Sequence, residues 1–238
     1  MTLEDSLGLG VFALVVAVFA YYSSQSQKKS GRPRSSGVPV ASAELATLMQ
    51  RFPPLTIVLI AVSVAVSFYS NFGDAVARLF PLFIAEPGSA GFESVMSGQF
   101  WRLLTPIFIH FGFMHIIFNM MWMWDLGGLI ERVKGVPFFV GFVVGVGIAA
   151  NVAQYAIAGS PFFGGMSGVV YGLLGYVWIS GKRNPQYGFG LHQQTAVMMF
   201  GWYVLCWTGL LGPVANWAHT AGLVLGIAIG YPRLARSR

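Results

Sequence analysis

Charge is what this chain of 238 residues has least of: Asp, Glu, Lys and Arg make up 9% of it, against 55% hydrophobic residues. With a mean hydropathy of +0.67, that argues against an ordinary soluble domain, in which about 25% of residues are charged. Cysteine occurs once, as Cys206, so no internal disulfide forms; inside an apolar run it reads as a small core hydrophobe. Histidine occurs four times, without an H-E-x-x-H pattern and with no acid beside His110 or His115. That argues against a zinc hydrolase, and no metal or other cofactor is expected. The short alternating strands of a membrane barrel are missing as well.

Apolar runs are plentiful. Seven lie near 7–24, 53–72, 113–131, 136–158, 167–181, 195–211 and 215–232, several approaching the roughly 20 residues that cross a bilayer core. The expected class is an all-α membrane protein, a six-helix core bundle plus one N-terminal transmembrane helix. The leading charges, Glu4 and Asp5, are acidic and no small-residue cleavage site follows, so the first run is expected to be an uncleaved anchor rather than a signal peptide. A Ser/Gly/Pro-rich stretch then divides the chain into an anchor at 1–26, a basic cytoplasmic linker at 27–52, and a core with a short basic tail at 53–238.

The net charge of +6 follows the runs in a pattern. Lys28, Lys29, Arg32, Arg34 and Arg51 come after the first, Arg132 and Lys134 after the third, Lys182 and Arg183 after the fifth, and Arg233, Arg236 and Arg238 end the chain. Only Arg78 and Arg102 fall on the other side. The positive-inside rule therefore expects a multi-pass protein of a bacterial-type inner or plasma membrane, N-terminus outside and C-terminus cytoplasmic. Basic charge here orients the chain and meets the lipid bilayer's headgroups; no nucleic-acid partner is expected.

Polar side chains inside spans are costly and mark function by default. "FIHFGFMHIIFNMMW" supplies His110, His115 and Asn119, "GGMSGVVYGLLGY" supplies Ser167 and Tyr171, and "VANWAHTAGLVLGIAIG" supplies Asn216 and His219. Counting at 1.5 Å per residue from the basic end of each helix puts Ser167 about 22 Å, His219 about 21 Å and Asn119 about 20 Å from it. Three helices thus place polar groups at one level, on the order of 10 Å below the outer boundary. Glycine ridges at Gly164, Gly168 and Gly172 and at Gly222, Gly226 and Gly230 pair the fifth run with the seventh. That brings His219 toward Ser167.

About 15 residues separate Ser167 from Lys182, too few to span, so this helix begins below the surface. A sunken helix start leaves amides without intrahelical acceptors and presents the positive end of the helix dipole, a ready site for a developing oxyanion. Serine beside histidine is a nucleophile and its base. With no Asp or Glu at this level, the pair is a dyad, with the Ser167 amide, His115 and Asn119 as oxyanion donors.

The motifs "GGMSGVVYGLLGYVW", "HFGFMHIIFNMMWMWDLGGLIE" and "ANWAHTAGLVLG", with "GQFWR" and "GKRNPQYG" between and around them, resemble the rhomboid family of intramembrane serine proteases, most of all its bacterial members. The resemblance runs over about 53–232. It implies a rhomboid core whose nucleophile is Ser167 and whose general base is His219, with Gly165 in the G-x-S-G element, Tyr171 packed on the histidine ring, and His115 and Asn119 on the oxyanion side. It places Trp101 and Arg102 in a large outer loop and makes Glu131 structural, while His110 reads as a support of that loop. Asp125 departs from the pattern, standing where the bacterial members carry an aromatic residue.

The expected function is a serine endopeptidase that hydrolyses peptide bonds in or near transmembrane segments of membrane proteins, single-pass ones above all. Two rivals stay open at this point. A non-catalytic rhomboid-like binder or quality-control factor needs neither Ser167 nor His219, and a transporter built on a broken helix calls for internal repeats, which are not seen.

Overall fold

The computed structural model describes residues 52–232; the apolar run at 7–24, nearly all of the linker and the basic residues from 233 onward lie outside them. Among the described residues the chain is helical, with no strand. Six principal helices occur: α1 Pro54–Tyr69, α2 Phe113–Lys134, α3 Val136–Ala158, α4 Ser167–Arg183, α5 Gln193–Trp207 and α6 Asn216–Gly230. They match the six core runs of the sequence, with α5 ending earlier than expected, at Trp207 instead of near 211. The chain there turns through Gly209 and Gly212, at φ +77° and +76°.

Local chemistry explains the boundaries. Pro54 opens α1 with a preset φ and no amide hydrogen to leave unpaired. The next amides are capped from a distance. The Glu131 carboxylate accepts from the Leu55 amide at 2.8 Å and from the Thr56 amide and hydroxyl, each at 2.7 Å. Replacing Glu131 by alanine leaves these donors buried without an acceptor, a cost of roughly 2–4 kcal/mol. A lowered thermal midpoint in detergent, with helical content retained at low temperature, is the expected outcome.

Between α1 and α2 the outer loop is wound into short helical turns at Val76–Leu82, Glu93–Met96, Phe100–Leu103 and Thr105–Phe108. Arg102 is 2% exposed and holds the loop from inside. Its guanidinium donates to the Phe80 and Phe83 carbonyls at 2.7 and 2.9 Å and pairs with Glu86 at 3.1 Å. Trp101 donates its indole N–H to the Pro81 carbonyl at 3.1 Å. These two residues are buried keystones of the outer loop.

Helix α2 is not regular: Phe113–Trp122 passes through a π-helical turn at Met123–Gly127 before continuing as Gly128–Lys134. Of the described helices, α3 alone is long and apolar enough to cross a membrane by itself. Helix α4 sits at the centre, buried along most of its length, whereas α5 buries only Met199 and Cys206. Contact between α4 and α6 is backbone to backbone. A β-carbon at Gly222 would overlap the Gly168 carbonyl, and one at Gly226 the Gly172 carbonyl. Small residues allow this approach, and dispersion between the close-packed backbones rewards it.

Candidate active site

The glycine ridges carry His219 against the first residue of α4. Ser167 Oγ lies 2.8 Å from His219 Nε2, a hydrogen-bonded pair. The imidazole is 5% exposed and leans on the Tyr171 ring, with centroids 4.7 Å apart and planes at 41°. Its other nitrogen, Nδ1, is buried with no hydrogen-bond partner. For Nε2 to accept the serine proton, the neutral ring carries its own proton on Nδ1. Among the described residues no carboxylate orients that proton, so ring stacking and helix packing fix the imidazole.

The α6 segment that presents His219 is itself held. Gln154 of α3 accepts from the Trp217 and Ala218 amides at 3.0 and 3.2 Å, capping two first-turn donors of the helix. Asn216 donates to the Cys206 carbonyl at 3.1 Å, tying the start of α6 to the end of α5. Gln154 was not singled out from the sequence. A signal existed, since an amide side chain within an apolar run is costly unless bonded.

The strand of chain before Ser167 is equally constrained. Gly165 donates its amide to the Pro106 carbonyl at 3.0 Å, and the Met166 amide donates to His110 Nε2 at 3.3 Å. His110, wholly buried, in turn lies 3.1 Å from the Phe108 carbonyl through Nδ1, which fixes its tautomer as Nδ1–H. It therefore clamps the outer loop to the start of α4.

His115 is fixed in the opposite sense. Its Nδ1 accepts from the Phe111 amide at 3.4 Å, leaving the proton on Nε2. That N–H faces Gly165. At Gly165, φ is +127°, and a β-carbon there would lie 2.9 Å from His115 Nε2 and 3.4 Å from Ser167 Oγ. The missing side chain leaves a small space with the serine oxygen on one side and an N–H donor on the other. The first-turn amides of α4 open beside it, with no intrahelical carbonyl to take them.

The structure thus gathers Ser167, His219, Tyr171, Gly165, His115 and His110. Asn119, one turn along α2 from His115, donates to the His115 carbonyl at 2.8 Å, which leaves its second amide hydrogen. Trp101 and Arg102 stand apart in the outer loop. No group of three or more His, Cys, Asp or Glu that could hold a metal occurs among the described residues.

A helical bundle with a serine at the N-terminus of a central helix, bonded to a histidine on a glycine-packed neighbour, defines a class of membrane protein. The chain belongs to the rhomboid family: residues 97–236 match the family's domain. Proteins named rhomboid protease GlpG are similar to it over 189 residues, at 39% identity for those of Salmonella paratyphi A and Salmonella typhi and 38% for that of Salmonella newport. The matched stretch is 79% of this chain and 66% of each relative, so the chain spans slightly less than two thirds of the length of the curated relatives it matches.

Proposed function

We propose that the protein is an intramembrane serine endopeptidase that cleaves transmembrane substrates through a Ser167–His219 dyad. The observation that carries this reading is the 2.8 Å hydrogen bond from the Ser167 hydroxyl to His219 Nε2, made at a helix N-terminus inside an apolar bundle. Ser167 Oγ attacks the scissile carbonyl carbon while His219 Nε2 takes its proton. The C–N bond then breaks, and the same proton passes to the leaving amine. Water, activated by the same imidazole, releases the acyl group as a carboxylic acid and regenerates the serine. The tetrahedral oxyanion lies in the space that Gly165 leaves open, where the Ser167 amide, His115 Nε2–H and the free Asn119 amide hydrogen are its donors.

Orientation follows from charge. Lys134 closes α2, and Lys182 and Arg183 close α4, at the ends opposite to the site. The site therefore faces the outside of the membrane and the basic ends face the cytoplasm. The apolar run at 7–24, with its acidic leading residues and basic followers, fits an extra anchor entering from the outside, joined to the core by the linker at 27–52. Substrates are segments that unwind readily, since an intact helix engages its own carbonyls and shields them from attack.

Cleavage of a type I transmembrane reporter by the purified protein in liposomes is the direct test. Product is expected, and a reporter stiffened with alanine and leucine in place of its helix-breaking residues is expected to be cut more slowly; equal rates would count against the unwinding requirement. Replacing Gly165 by alanine is expected to lower kcat by about 100-fold or more, because the β-carbon occupies the oxyanion space and the backbone is unfavourable for an L-residue. Single-turnover kinetics at saturating reporter checks this.

A further inference from the structure

Three buried side-chain polar atoms have no hydrogen-bond partner among the described residues: Ser63 Oγ, Asn216 Oδ1 and His219 Nδ1. Buried polar groups are almost always satisfied, so each exception calls for an explanation. Ser63 stands by itself in α1. The other two belong together: Asn216 is the first residue of α6 and His219 the fourth, one turn apart on neighbouring positions of the helix surface. Oδ1 is an acceptor, and Nδ1 is a donor in the tautomer that leaves Nε2 open to the serine proton.

The local geometry favours their meeting. A helical side chain leans back over the turn that precedes its own α-carbon. With Nε2 engaged by Ser167 and the ring resting on Tyr171, Nδ1, the ring nitrogen nearer the backbone, lies over the turn that Asn216 opens. Asn216 is not free to turn away. Its Nδ2 donates to the Cys206 carbonyl at 3.1 Å, which fixes Oδ1 as the unbonded end of the amide. Its own carbonyl accepts from the Thr220 hydroxyl at 2.9 Å, and that hydroxyl shares a 2.8 Å bond with Tyr203 of α5. Side chains three residues apart on a helix have β-carbons about 5–6 Å apart. A donor and an acceptor so placed, with no direct bond between them, suit one bridging water, which finds there the two polar partners a buried water needs.

We propose that one ordered water accepts from His219 Nδ1–H and donates to Asn216 Oδ1, and that Asn216 is thereby the positioning residue of the base. This rests on the protease reading and deepens it. The bridge does what the acid does in a Ser-His-Asp triad, a place that asparagine fills in papain-like proteases. No proton leaves Nδ1. When Ser167 gives its proton to Nε2, the ring becomes an imidazolium, and the water and the Oδ1 dipole face the charge that develops on Nδ1–H. Between turnovers they hold the tautomer that keeps the Nε2 lone pair for the serine.

The experiment compares Asn216→Ala with Asn216→Asp in the full chain. Both lose the N–H that ties α6 to the Cys206 carbonyl, whereas the aspartate alone keeps an oxygen where Oδ1 stands. On a type I reporter, Asn216→Ala is expected to lower kcat about 30-fold with KM within about twofold of wild type, and Asn216→Asp to recover roughly tenfold of that loss. Nitrogen NMR of protein carrying isotope-labelled histidine, with His219 assigned by its disappearance in His219→Ala, reports the tautomer. Nδ1–H is expected in the wild type and in Asn216→Asp, and a mixture with Nε2–H in Asn216→Ala. Equal kcat in the two variants overturns the proposal and assigns Asn216 to the Cys206 tie alone. So does an Nδ1–H signal unchanged in Asn216→Ala, or a wild-type ring that carries its proton on Nε2. Should the alanine variant not fold, Asn216→Leu, close to asparagine in volume but without the oxygen, takes its place. Should the wild type leave the reporter uncut, the protease reading fails separately, and the tautomer in the variants still decides the bridge.

Discussion

Ser167→Ala is expected to abolish reporter cleavage, by about 10,000-fold or more, while leaving the fold in place. The hydroxyl makes a single side-chain hydrogen bond, with His219 Nε2, and the helix that begins at Ser167 is held by other means: the Gly165 amide on Pro106, the Met166 amide on His110, and the glycine ridge on α6. Removing one oxygen therefore removes the proposed nucleophile without unseating the backbone. His219→Ala is expected to be as damaging, and the double variant hardly worse than either alone. In the proposed mechanism nucleophile and base act in one step, so their losses do not add. The check is product formation over hours at high protein concentration, beside matched thermal unfolding curves. Residual cleavage in Ser167→Ala within tenfold of wild type would sink the dyad mechanism.

Gly226→Val is expected to fail differently, through the fold. A β-carbon at this position overlaps the Gly172 carbonyl, so α6 cannot sit where it does. Two helices forced apart lose the packing between α4 and α6 that centres the bundle, a cost on the order of 3 kcal/mol for such overpacking. His219 rides on α6 and moves with it. The variant should show a thermal midpoint lower by several degrees together with a large loss of activity, whereas Ser167→Ala should lose activity alone. Gly230→Ala is the milder companion: its β-carbon meets the Ile179 and Ser180 side chains at 2.7 Å, and the Tyr176 carbonyl only at 3.0 Å. Activity retained in Gly226→Val at wild-type midpoint would show that the ridge is not what sets the distance between serine and histidine.

These two variants separate what the site needs chemically from what it needs geometrically. The same separation runs through the polar residues of the spans. His110 and His115 sit with ring centroids 5.1 Å apart yet carry opposite tautomers, because one receives the Met166 amide on Nε2 and the other the Phe111 amide on Nδ1. His110 is committed to backbone, and His115 keeps an N–H turned toward the space at Gly165. Sequence alone offers two histidines five positions apart; the direction of each proton comes from which amide the fold places beside it.

Much was legible from the residues because a bilayer restricts what a chain can do. Apolar runs must be helices, since lipid satisfies no backbone group, and the six core runs became α1 to α6 for that reason. Counting from the basic ends put Ser167 and His219 at one level, and the glycine ridges paired their helices. Rise per residue and side-chain size are local properties, and they transfer from sequence to structure intact.

What the tertiary structure decided is what depends on partners distant in the chain. The π-helical turn at Met123–Gly127, the Glu131 carboxylate reaching back to cap α1, and Gln154 capping the helix of His219 leave no periodic trace, because each satisfies a donor dozens of residues away or breaks the period itself. Arg102 shows the limit most plainly. The resemblance places it in the outer loop beside Trp101, but only the fold supplies its partners: it is buried and bonded to the Phe80 and Phe83 carbonyls. A charge goes where enough acceptors converge, and that convergence is a property of the folded chain alone.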